Sequence, residues 1–272
     1  LRGGLKLFHF FCKIFGFNLI KNIVNYFKKN GFSFLPFIFS KKYFPKVSGN
    51  FNPKSITNDN DKNNDEREPI IIFSTCVERV MDHPREKEKN DNPLHSVLKK
   101  AGYKVIIPSN ISSLCCGKIF SGRGFQKAGG IAKEKLICEL YKLSNNGEIP
   151  ILVNTSSCFK DLESIKDNHL KIYDSSSFIL NDLKDKLKFK KLKEKIFIHE
   201  PCSLKMSSSA GNLKEVASLC SDFVMENKTV DCCGFAGDKG FFEPQVNKNA
   251  LKGMKRLLPS EISRGYSQSL PC

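Results

Sequence analysis

The sequence predicts an α/β fold: two tandem copies of one cysteine-rich unit on mostly parallel sheets, preceded by a basic, Phe-rich helical segment. Three observations predict it. From residue 69 onward, short apolar runs alternate with longer helical patterns, the order expected of parallel strands joined by crossover helices. One cysteine pattern occurs twice: Cys76, Cys115-Cys116-Gly117 and Cys158, then Cys202, Cys232-Cys233-Gly234 and Cys272. Residues 1–51 carry nine Lys/Arg, no Asp/Glu and twelve of the twenty-three phenylalanines.

In residues 1–51, Leu5, Phe8, Cys12, Phe15, Leu19 and Ile23 recur at three-and-four spacing, which predicts one face of a helix. Apolar rings among purely basic charges suit the headgroup region of an anionic membrane. Packing on a domain upstream is the other reading. No recognition motif accompanies the charge, so nucleic acid is not an expected partner. Residues 52–68, with Asn58-Asp59-Asn60-Asp61, carry three positive and five negative charges and read as a solvated linker. The first copy spans 69–187. Its strand 69–73 leads to Cys76, helix 94–102 stops at Gly102, strand 103–107 and helix 125–144 follow, and strand 149–154 runs to Cys158. A helix over 177–187 closes it. The second copy, 188–272, has a strand over 195–199 ending at Glu200-Pro201-Cys202, a helix over 212–220, and a segment over 223–230 leading to the second doublet. In parallel sheets ligands collect beyond the carboxyl ends of the strands, where Cys76, Cys158 and Cys202 fall.

Composition bounds the function. Of 272 residues 40% are apolar and 26% charged, which excludes a mostly disordered chain. No apolar run reaches eighteen residues, which excludes a multi-spanning membrane protein. The net charge is +16 and there are eleven cysteines. No secretory leader is evident, so a reducing, cytoplasmic compartment is expected, with a peripheral place on the cytoplasmic face of the inner membrane left open. The chain starts at Leu1 and stops at Cys272, and both ends are expected to be cut from a longer coding sequence.

Adjacent cysteines make a strained disulfide, so the doublets read as thiolate ligands. Four thiolates per copy match a [4Fe–4S] cluster or a structural zinc site. Consecutive side chains point apart, and both can ligate only a wide centre, which favours iron–sulfur; zinc in one copy stays open. Gly117 and Gly234 can take a positive φ, let the backbone approach closely and aim N–H groups at the sulfurs. His199 can donate a hydrogen bond to a cluster, ligate, or simply support the strand end. Cys138 and Cys220 are expected to be small buried hydrophobes. The Gly122-Arg123-Gly124 and Gly129-Gly130 steps follow a doublet and not a strand, so no dinucleotide site is expected. Asp238 and Lys239 read as a helix cap, with pairing to a partner surface as the other reading.

These residues resemble the cysteine-rich CCG domain pair of the heterodisulfide reductase B subunit, the glycolate oxidase iron–sulfur subunit and, most closely, the carboxyl-terminal part of FAD-linked D-lactate dehydrogenases. The resemblance rests on Cys115-Cys116-Gly117 with Phe120-Ser121-Gly122-Arg123-Gly124-Phe125, on Asn154-Thr155-Ser156-Ser157-Cys158, on Tyr173-Asp174-Ser175 with Phe178, and on Gly265-Tyr266-Ser267 before Cys272. Its most specific parts are His199-Glu200-Pro201-Cys202-Ser203-Leu204 and Cys232-Cys233-Gly234-Phe235-Ala236-Gly237-Asp238-Lys239-Gly240-Phe241. It covers residues 69–272. It implies an iron–sulfur module that takes electrons from an FAD domain and ferredoxin-like clusters upstream and passes them to a quinone or cytochrome. Thr155 and Ser269 stand where the family often has a further cysteine, which points away from the open cluster of heterodisulfide reductase. A thiol–disulfide module of that kind, or a zinc-stabilised interaction domain, are the alternatives.

Overall fold

The computed structural model describes residues 2–31, 66–80, 93–165, 169–237, 239–254, 258–262 and 264–269. The 52–68 segment therefore lies outside the described residues up to 65, and Asp238 and Cys272 lie outside them too.

Two helices lead the chain, α1 (Arg2–Phe15) and α2 (Phe17–Lys29). The single helical face read from the sequence is thereby corrected: Gly16, at φ 82°, breaks it. A left-handed residue cannot continue a right-handed helix, and glycine takes that conformation without a Cβ penalty. The bend brings the Phe17 ring edge-on to Phe8, centroids 6.1 Å apart. Phe8 and Cys12 are half-buried, whereas Phe15, Leu19 and Ile23, placed on the same face by spacing, are exposed.

The first sheet has the order β2-β1-β3-β4, all parallel. Its strands are β1 (Glu68–Ile72), β2 (Tyr103–Ile106), β3 (Ile151–Leu152) and β4 (Ile172–Tyr173). Between and after them run α3 (Cys76–Val80), α4 (Pro93–Lys100), α5 (Lys118–Ser121), α6 (Gln126–Leu143), α7 (Ser156–Glu163) and α8 (Ser175–Phe178). Ile70, Ile71, Phe73, Ile151 and Leu152 are fully buried. A central parallel strand covered on both faces requires such an unbroken apolar run. Removing Phe73 alone would cost about 3–5 kcal/mol.

The second sheet, β6-β5-β7, is parallel too. It comprises β5 (Ile196–His199), β6 (Val224–Glu226) and β7 (Arg264–Ser267), with α9 (Cys202–Lys205), α10 (Asn212–Cys220), α11 (Lys239–Phe242) and α12 (Pro244–Ala250). In both sheets the strand before the first cysteine of a copy is central, flanked by the next two strands of that copy. The cysteine repeat is thus a repeat of topology.

Some elements differ from the sequence reading. The strand expected over 149–154 pairs only at Ile151 and Leu152. β4 and β7 were not read as strands: one is two residues long, and the other, Arg-Gly-Tyr-Ser, is exposed throughout and shows no apolar alternation. The helix expected over 177–187 starts earlier, at Ser175, because Asp174 caps it by accepting from the Ser176 and Ser177 amides. It then widens into a π turn over Ile179–Leu183.

Candidate metal centre

In the first copy three strand ends deliver sulfur to one place. Cys76 opens α3 after β1, Cys115 and Cys116 follow the loop after β2, and Cys158 lies in the first turn of α7 after β3. The four form a chain of contacts. Cys76 hydrogen-bonds Cys115, Cys115 meets Cys116, and the Cys116 and Cys158 sulfurs lie 3.0 Å apart. That separation is well beyond the ~2.05 Å of a disulfide.

The thiols do not behave alike. Hydrogen bonds with Cys115, then burial, push Cys76 up. Cys116 is pushed up by its hydrogen bonds with Cys115 and Cys158 and by burial. Cys115 goes the other way, lowered by its hydrogen bonds with Cys116 and Cys76 and by the Gly117 amide, which donates to it at 3.4 Å. Four thiolates this close repel strongly unless a cation lies among them.

Arg79 supplies one positive charge nearby. It is buried, and that desolvation lowers its pKa, while Cys76, Cys115 and Cys158 act in the opposite direction. Its guanidinium donates to the carbonyl oxygens of Thr75 at 3.2 Å, Leu114 at 2.8 Å and Ile111. Arg79 thus ties the end of β1 to the loop that presents Cys115. Beside it, Glu78 accepts from the Thr75 amide at 2.7 Å and from Asn154 at 2.8 Å, and Thr75 and Thr155 share a hydroxyl hydrogen bond of 2.8 Å. Thr155, which stands where the family often has a further cysteine, is a buried partner of Thr75.

Gly117 sits at φ 82°. A Cβ there would overlap the carbonyl of Gly129 in α6, so the doublet can lie against that helix only if both positions lack side chains.

The second copy repeats this arrangement. The Gly234 amide donates to the Cys232 sulfur at 3.4 Å, the same distance as in the first copy. Gly234 lies at φ 73°, and a Cβ on it would press on α12 at Val246, Asn247 and Ala250. Asn247 also donates to the Cys233 carbonyl. Cys202 stands beside both sulfurs of the doublet; burial, then the charge of Cys232 and a hydrogen bond with it, raise its pKa. The fourth predicted thiol of this copy, Cys272, lies outside the described residues. This site is the more open one: Cys232 is exposed and Cys202 half-buried. Arg123, after the first doublet, stacks on Phe242 at the end of α11, after the second, at 5.0 Å, so the segments that follow the two doublets meet.

Cys138 corrects the sequence reading, since it is exposed. α6 buries Gly129, Leu136 and Leu140, and Cys138 projects from the opposite side. Cys220 is half-buried, not a core residue. Arg79 was missed because a basic side chain on a short helix reads as solvated. Its only signal was its place one helical turn after Cys76.

His199 ends β5 and is buried. Its Nδ1 meets the Asn227 side-chain amide at 2.9 Å, and its Nε2 is buried with no hydrogen-bond partner among the described residues. This orphaned imidazole nitrogen, the converging thiols and the glycine amides fit a thiolate-bound inorganic centre. Among the described residues, no group of three or more His, Cys, Asp or Glu is arranged to hold a single metal ion. The thiols are packed on one another instead.

Residues 70–163 match the family model of the cysteine-rich domain CCG. The match spans the first copy from β1 to α7 and includes Cys76, the first doublet and Cys158. A CCG domain points to an iron–sulfur or metal-binding module of the kind found in oxidoreductases. No curated protein matches the chain.

Proposed function

We propose that this chain is the iron–sulfur electron-transfer part of an FAD-dependent dehydrogenase acting on a D-2-hydroxy acid of the D-lactate type. Cys76, Cys115, Cys116 and Cys158 would hold one centre, and Cys202, Cys232, Cys233 and Cys272 the other. An iron–sulfur cluster supplies one-electron redox chemistry when bound. The chain's own groups do the rest: Gly117 and Gly234 direct amides at sulfur, Arg79 offsets thiolate charge, and the buried strand ends keep water from the first set of thiols. The flavin, the substrate pocket and ferredoxin-like clusters belong to partners outside this chain, with a quinone or cytochrome as acceptor. The observation that carries this reading is the doubled arrangement of amide, sulfur and left-handed glycine at the carboxyl ends of two parallel sheets whose first three strands follow the same order.

Anaerobic purification of the full chain tests it. Iron and acid-labile sulfide are expected together with broad visible absorbance; Cys116→Ser should remove the share held by the first copy and Cys233→Ser that of the second. A folded, colourless and iron-free protein would sink the proposal. Zinc without sulfide would instead select the zinc-stabilised interaction domain, and cleavage of a heterodisulfide the thiol–disulfide module.

We also propose that α1 and α2 rest on an anionic membrane surface. Leu7, Phe10, Ile14, Leu19, Ile23 and Tyr26 are all exposed, the charged residues are all basic, and the remaining exposed side chains of α2 include the neutral Asn18 and Asn22. Among the described residues no helix is long and apolar enough to cross a membrane.

A further inference from the structure

We infer that His199 is held as the Nε2–H tautomer, a buried donor kept for sulfide of the centre that the second cysteine site would bind. This rests on the iron–sulfur reading above and adds a role for a residue that reading leaves idle.

The tautomer follows from Asn227. Its Oδ1 accepts from the amides of Thr229 and Val230, both at 3.1 Å, and from the Thr229 hydroxyl at 3.3 Å. Backbone N–H groups can only donate, so the oxygen must face them and the side-chain amide cannot be flipped. The Asn227 NH₂ is therefore the group that faces the ring, and it also donates to the Val230 carbonyl at 3.2 Å. Facing a donor, His199 Nδ1 must accept, which leaves the proton of the neutral ring on Nε2. That N–H is buried and has no acceptor among the described residues. A buried donor left unpaired is costly, so an acceptor is expected for it.

The same logic excludes His199 as a metal ligand. A ring that accepts at Nδ1 could ligate through Nε2 only as an imidazolate.

Two further facts place the donor. The ring is fixed between the segments that deliver the second copy's thiols: Cys202 follows three residues after His199, and Cys232 two residues after Val230. The corresponding residue of the first copy, three before Cys76, is Phe73, fully buried and apolar. The first copy thus fills this place with hydrocarbon, while the second spends a buried polar group on it. The sulfurs of Cys202, Cys232 and Cys233 do not accept from it in this structure, so the acceptor its chemistry calls for is the sulfide of a bound centre. A donor to anionic sulfur stabilises the more negative, reduced state and so raises the reduction potential.

The test has two arms on the full chain. In ¹⁵N-histidine-labelled protein without metal, long-range ¹H–¹⁵N correlation should show the resonance lost in His199→Phe as the neutral Nε2–H tautomer. In anaerobically loaded protein, redox titration followed by electron paramagnetic resonance should show a lower midpoint for the second centre in His199→Phe, with iron content unchanged. His199→Gln, which keeps an N–H, should stay nearer the wild type. Circular dichroism checks that both variants fold, and the tautomer itself is read from wild-type protein, the variant serving only to assign the resonance. An Nδ1–H or doubly protonated ring, or an unmoved midpoint, overturns the inference. So does iron loss from a folded His199→Phe, the mark of a ligand. Wild-type protein with no iron at its second thiols would show instead that the iron–sulfur reading itself had failed, and the inference would fall with it.

Discussion

Gly117 and Gly124 share a left-handed backbone, φ 82° and 88°, but not a neighbourhood. A Cβ at Gly124 would meet nothing within 4 Å, whereas one at Gly117 would overlap the Gly129 carbonyl, whose carbon would lie 3.0 Å away. Gly124→Ala should therefore lose only the left-handed penalty, about 1–2 kcal/mol. Gly117→Ala adds the displacement of α6 from the doublet, about 1–3 kcal/mol more for a packed contact. Urea unfolding of the two variants measures the difference; equal losses would mean that the close approach to α6 does not exist. Iron binding should separate them further, since only Gly117 sets the position of Cys115 and Cys116.

At the scale of elements, α1 and α2 face solvent with an apolar stripe at Leu7, Phe10 and Ile14 and another at Leu19, Ile23 and Tyr26, bordered by Lys6, Lys13 and Lys29. Each lysine near an anionic bilayer is worth about 1 kcal/mol. The chain should co-sediment with vesicles containing anionic phospholipid at least about tenfold better than with neutral ones, and less well as salt rises. Phe10→Asp with Ile14→Asp should abolish this. Equal binding to neutral vesicles would remove the electrostatic part of the proposal; no binding to either would mean that this face packs on protein. The helix pair also shows where sequence reading stops. Spacing identified helical residues, but a break in one helix depends on the single residue Gly16 and on the contact between Phe8 and Phe17. The doublets and their glycines were legible because few chemistries call for adjacent cysteines, and α10 because its period and its ends agree. β7 was not, since its pairing is set by β5 and not by an apolar pattern of its own. Arg79 and Asn227 were invisible for a related reason: each ties backbone carbonyls or amides to a residue distant in sequence, Arg79 to Ile111 and Leu114 and Asn227 to His199, which leaves no mark on composition or period.

The whole molecule depends on how its two sheets are joined, and the seam is polar. Ser156 and Ser203 share a hydroxyl hydrogen bond of 2.7 Å, Ser208 donates to Glu163 at 2.8 Å, and Asn212 donates to Ser177 at 3.0 Å. At its centre Asp174 is fully buried and accepts from the Ser176 amide at 2.8 Å, from both neighbouring serine hydroxyls, and from Gln268 of the second sheet's side at 2.7 Å. Burial alone would raise its pKa, but the hydrogen bonds from Ser176, Ser177, Ser209 and Gln268 outweigh burial and hold the carboxyl below its ordinary value. The sign follows. A carboxylate whose folded pKa is depressed contributes stability that is complete above its unfolded pKa, about 3.9, and lost as pH falls through the folded value. Protonation would also put a donor among groups that already donate to it. Asp174→Asn should therefore be less stable than the wild type at neutral pH, by about 2–4 kcal/mol for a buried, charge-assisted network, and the gap should narrow below pH ~4. Urea unfolding from pH 7 down to pH 3, with separate probes for the two copies, measures this. A gap that stays constant with pH would show that Asp174 is not the charged hub of the seam. Transitions that separate in the variant but coincide in the wild type would show that this one carboxylate couples the two sheets.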